Sequence, residues 1–108
     1  MGEVRTTVHV LKILPKNLSD LLTEGKTCEV RVDDRGGYEA DDVLRLQEWS
    51  SEDGYTGTEV YALVRHVLRA EDCPEQFAAV FAAANVVVMS VEVIRGPRGW
   101  FVGEVFDG

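Results

Sequence analysis

Apolar and polar positions alternate in one stretch of this chain after another, and two stretches switch to helical spacing. Thr7–Leu14 is dense in β-branched and apolar residues and reads as a first strand, which Pro15 ends. Lys16–Glu24 carries Leu18, Leu21 and Leu22 at i, i+3 and i+4, the stripe of a short helix, and Gly25 supplies its stop. Alternation resumes from Lys26 to about Val32, and Asp33–Gly37 reads as a turn or loop. Asp42–Trp49 is a further strand, Ser50–Gly54 a polar loop, and Thr58–Arg69 a strand whose phase slips near Arg65, the signature of a bulge. Asp72-Cys73-Pro74-Glu75 opens a second helix with Asp72 as N-cap candidate, and Asn85 is its stop. Its stripe of Phe77, Val80, Phe81 and Ala84 reads as core. Val86–Ile94 is a strand buried on both faces at its start. Gly96–Gly99 is a turn, and Trp100–Phe106 is a last strand that forms a hairpin with it.

About six strands and two short helices, with no repeat or linker, predict one α+β domain over residues 1–108. Its expected form is a small β-barrel or strongly curved mixed sheet. The length suits one core. No apolar run reaches the ~18 residues of a membrane span. The N-terminus carries an acid and no following apolar stretch, so no secretory signal is read and a cytoplasmic location is expected. Met1-Gly2 followed by Thr6 fits a myristoylation pattern that is common by chance.

The formal net charge is −8, which weighs against tight, unspecific binding of long nucleic acid by phosphate neutralisation. Both halves are acidic: residues 1–50 hold seven Lys/Arg against ten Asp/Glu, and the rest hold four against nine. A small ligand, a single base in a pocket, or a basic protein partner fits better. Cys28 and Cys73 match no metal spacing. Cys28 is expected as a buried thiol on an apolar strand face. The pairs Asp33-Asp34 and Asp41-Asp42 are expected as solvated turns, so no metal and no cofactor is implied.

The chemistry concentrates in Gly25-Lys26-Thr27-Cys28-Glu29-Val30-Arg31. Period-2 alternation places Thr27, Glu29 and Arg31 on one face and Lys26, Cys28 and Val30 on the other. Glu29 and Arg31 can pair or share a ligand, and Lys26 sits at a corner from which it can turn toward them. Arg31 offers a planar fork for phosphate or a base edge. Of His9 and Lys12, on opposite faces of the first strand, one is expected to line the cleft and the other to be solvated. Arg35, next to Asp34, can bind phosphate with the following glycine amides. Trp49 and Tyr55 flank a polar loop and can stack on a base.

Several of these residues together resemble a known pattern. His9-Val10-Leu11-Lys12-Ile13, Gly25–Arg31, Asp33-Asp34-Arg35, Asp42-Val43-Leu44, Tyr55-Thr56-Gly57 and Val87–Val91 follow the order of the ASCH domains. They are most similar to a small family of these from bacteria and their phages, over roughly residues 8–94. The resemblance implies a PUA-like barrel with helices at its rim that binds RNA or nucleotides beside the Gly-Lys-x-x-Glu-x-Arg element. The implied ligand residues are Lys26, Glu29, Arg31, Lys12, His9, Asp34, Arg35 and Tyr55. Some small ASCH members are amidohydrolases that deacylate modified cytidine through a lysine, a threonine and a glutamate. Lys26 matches the lysine, Glu29 occupies the threonine position three residues on, and Thr27 lies next to the lysine. Three expectations follow: a module for RNA, a nucleotide or a modified nucleoside; an acidic phage-encoded protein that occupies a basic nucleic-acid site on a host protein; or an amidohydrolase acting on acetylated cytidine.

Overall fold

The computed structural model describes residues 6–34, 37–96 and 99–100. Strand β1 (Val8–Ile13) turns His9, Leu11 and Ile13 inward and Val8, Val10 and Lys12 outward, the period-2 consequence of a pleated strand. Pro15 starts helix α1 (Pro15–Thr23), where a missing amide hydrogen costs nothing. Leu18 and Leu21 are buried and Leu22 lies at the exposed edge of the stripe. Gly25, at φ +73°, ends the helix in the left-handed region. The chain then enters β2 (Cys28–Val32), β3 (Val43–Ser50) and β4 (Gly54–Leu68). A 3-10 turn (Ala70–Asp72), helix α2 (Glu75–Ala84), β5 (Val86–Gly96) and a short β6 (Gly99–Trp100) complete the described chain.

The strands form one mixed sheet in the order β1-β3-β4-β5-β2, with β6 beside β5. β1 runs parallel to β3, and every other neighbour is antiparallel. The inner face holds Leu44 and Leu46 of β3, Val60, Ala62 and Val64 of β4, and Val87, Met89 and Val91 of β5, all buried. α1 adds Leu18 and Leu21 to this core. Register shifts at Gln47/Trp49, Tyr61/Ala62 and Val64/His66 bend the long strands. The curling brings the two ends of the sheet, β1 and β2, onto the walls of the same recesses. The architecture is therefore α+β, a half-barrel open along the seam between β1 and β2.

Several expectations change. The 50–54 segment is a tight hairpin turn, so β4 begins at Gly54 and Tyr55 belongs to a strand. Asp72 does not cap α2: its carboxylate accepts the Arg69 amide at the 3-10 turn, and the N-cap of α2 is Pro74. The α2 stripe is not core, since Val80 is 67% exposed, Phe77 is exposed and no residue of the helix is buried. The helix packs on its chain neighbours, the 3-10 turn and β5, while Phe77, Val80 and Ala84 of the stripe are exposed and Phe81 is half-buried. Val86 and Val88 are half-buried rather than buried, because β5 alternates from its first residue. Gly99–Trp100 of the expected last strand pair with β5, and residues 101–106 lie outside the described residues.

Candidate functional site

β2 is inverted relative to the expectation from its apolar residues. Glu29 is 3% exposed, whereas Val30 is 60% exposed and Cys28 also faces outward. The polar face of β2 looks into the half-barrel because donors meet its carboxylate there. Lys26 Nζ donates to Glu29 Oε2 at 3.0 Å. Arg31 Nε donates to Oε1 at 3.0 Å, and Arg31 Nη2 stands 2.9 Å from the same oxygen as an ion pair. A carboxylate removed from water keeps its charge at tolerable cost only when ringed by such charge-assisted bonds. Lys26 lies before the strand, and its own amide donates to the Asp20 carbonyl at the end of α1. The helix stop therefore aims this lysine at Glu29.

The triad opens on a recess of about 380 Å³ in the seam, lined also by Lys12, Leu14 and Asn17. A second recess of about 390 Å³ adjoins it, with Lys12 and Arg31 on both linings. Leu11, Val32, Asp34, Tyr38 and Tyr55 are among its walls. Lys12 Nζ lies 4.2 Å from the centroid of the Trp49 ring and 5.8 Å from that of Tyr55, which pairs with Trp49 across the β3–β4 hairpin. This ammonium thus sits on an aromatic shelf. A third recess of about 530 Å³ follows on the outer face of β3 and β4, sharing Gln47 and Tyr55 with the second. Arg45 Nε donates to Glu59 there at 2.8 Å. That bond holds the Glu59 carboxyl below its usual range and raises Arg45 further.

The structure thus brings Lys26, Glu29, Arg31, Lys12, Asp34 and Tyr55 to one groove and leaves two candidates out. His9 is buried: its Nε2 stands 2.8 Å from Asp42 Oδ2, and its ring lies tilted against Tyr38 with 4.6 Å between centroids. Asp42 also accepts the Glu39 amide at 2.9 Å, so it is a buried acceptor and not a solvated turn residue. This pair fixes the loop whose Tyr38 floors the second recess. Thr27 is exposed, is not on the groove wall, and accepts the Val91 amide through its carbonyl. Arg35 lies outside the described residues. The sequence reading missed Asn17, Tyr38 and Gln47. Only Gln47 carried a signal, as a polar position alternating with Leu44 and Leu46, and the pairing of β1 with β3 sets it opposite Lys12. Cys28 and Cys73 are free thiols, and no group of three metal-ligating side chains occurs among the described residues. Among those residues, too, no helix is long and apolar enough to cross a membrane.

The model of a family described as a domain of unknown function (DUF3850) matches residues 8–91, most of the chain and every strand that lines the seam. No curated protein matches the chain.

Proposed function

Because this chain belongs to the DUF3850 family, we propose a function from the chemistry of its own groove: a binding module for a nucleotide-type ligand, whether RNA, a nucleotide or a modified nucleoside. The observation that carries the reading is the Lys26–Glu29–Arg31 triad at the wall of an open seam. Glu29 orients Arg31 and leaves its remaining guanidinium hydrogens for a phosphate or base edge. The aromatic shelf of Trp49 and Tyr55 gives a planar ligand a face to stack on. The similarity to ASCH domains points to the same class of ligand. Binding is favoured over amidohydrolysis because the Lys26 amine is engaged by Glu29 and Thr27 stands off the wall. Inhibition of a host protein through the acidic surface is the competing proposal, supported by the net charge of −8.

Titration calorimetry with nucleosides and nucleoside 5′-monophosphates tests the reading. Arg31→Ala is expected to weaken 5′-monophosphate binding at least tenfold, in line with about 1.5–3 kcal/mol for a charge-assisted hydrogen bond. Lys12→Ala, at an outward-facing position, is expected to weaken it several-fold without disturbing the fold. Negligible binding by the wild-type protein, together with a stoichiometric protein partner recovered from bacterial lysate, would replace this reading with the inhibitory one.

A further inference from the structure

The three recesses adjoin in series through shared wall residues, and their charges are unevenly distributed. Lys12 and Arg31 wall both the first and the second, while Gln47 and Tyr55 wall both the second and the third. The first two volumes lie near the lower end of the range for a single small-ligand pocket and suit one ring system, and the third, somewhat larger, has room for another. Across the first two, the cations Lys12, Lys26 and Arg31 face the carboxylates Glu29 and Asp34. Lys12 and Arg31 stand where the two recesses meet. In the third, Arg45 is held by Glu59, and Glu48 adds a second carboxylate. An anionic group is therefore welcome at the first junction and unwelcome beyond the second. At that second junction Tyr55 is 58% exposed.

We infer that the groove takes a two-residue segment of single-stranded nucleic acid with one bridging phosphate, seated between Lys12 and Arg31. One base lies against the Lys26–Glu29–Asn17 wall, and the other stacks on Tyr55 with its edge toward Gln47. This inference rests on the nucleotide-binding reading and adds its length and charge count. It also accommodates a chain of net charge −8: contact with about one phosphate needs no basic face.

The test is a length and salt series on the wild-type protein with three probes: nucleoside 5′-monophosphates, dinucleoside monophosphates and a single-stranded hexanucleotide. The dinucleoside monophosphate is expected to bind roughly tenfold tighter than the mononucleotide, the value of one stacked base. The hexanucleotide is expected to add no more than the statistical gain from its several registers. The slope of log affinity against log salt for it should be roughly −0.7, the value for one phosphate on a single strand. Tyr55→Ala should collapse the dinucleotide-to-mononucleotide ratio toward one, and Tyr55→Phe should retain it. Equal affinity for mono- and dinucleotide, or a hexanucleotide that binds far tighter with a slope of several units, overturns this inference and leaves the nucleotide-binding reading standing. No binding of any of the three removes both.

Discussion

A carboxylate as buried as that of Glu29 persists only where donors replace its water. Lys26 and Arg31 each supply one such bond, Arg31 Nη2 adds an ion-pair contact, and each cation keeps about a fifth of its side chain in solvent. Glu29 therefore does two things: it fixes the seam end of β2, and it holds two cations at a groove wall. Glu29→Gln removes the charge and leaves both cations half-buried against a neutral amide. Breaking a fully buried pair costs about 3–5 kcal/mol, and the partial solvation of the partners brings the expected loss to about 2 kcal/mol. Urea unfolding should show that loss as a lower midpoint with an unchanged slope. Alternation alone was enough to place Glu29 and Arg31 side by side. It did not say which face turns inward, because the ordinary rule sends Cys28 and Val30 to the core. The rule gives way here because β2 is an edge strand whose inner side looks onto a polar seam. His9 shows the same limit: a histidine on a strand offers no hint of Asp42, thirty-three positions away, which binds it.

At the level of elements, most strands and both helices were legible from periodicity, and the phase slip near Arg65 marked a real irregularity in β4. What periodicity supplies is the set of residues that share a face. It does not supply the surface that covers that face. The stripe of Phe77, Val80, Phe81 and Ala84 has the spacing of a core helix, yet Phe77 and Val80 face solvent. The difference is measurable. Phe77→Ala is expected to change stability by no more than about 0.5 kcal/mol, as for ordinary surface positions. Leu46→Ala in β3, with no exposure at all, is expected to cost about 2–5 kcal/mol. Thermal and urea unfolding of the two variants checks the contrast. A Phe77→Ala loss as large as that of Leu46→Ala would mean that the stripe is covered in solution. The hairpin at 50–54 was less legible because its polar residues read as a loop, although their cross-strand pairing carries Tyr55 next to Trp49.

The whole molecule creates the groove by strand order, which no local pattern reports. β1 pairs in parallel with β3 and β2 pairs with β5, so segments joined by one short helix sit at opposite ends of the sheet. Curling then returns them to face each other across the seam. That closure gathers Lys12 from β1, Lys26 from the α1 corner and Arg31 from β2 into one place, on a chain that is otherwise strongly acidic. Local cationic character set in a negative surface suits a small or short anionic ligand and repels a long polyanion. The most direct test is amide and side-chain NMR of the isotope-labelled full chain titrated with a nucleoside 5′-monophosphate. The account predicts saturable shifts confined to the seam, at Lys12, Asn17, Lys26, Glu29, Arg31 and Tyr55. Shifts absent throughout, or clustered on the outer face of α2 with the seam unmoved, would contradict it.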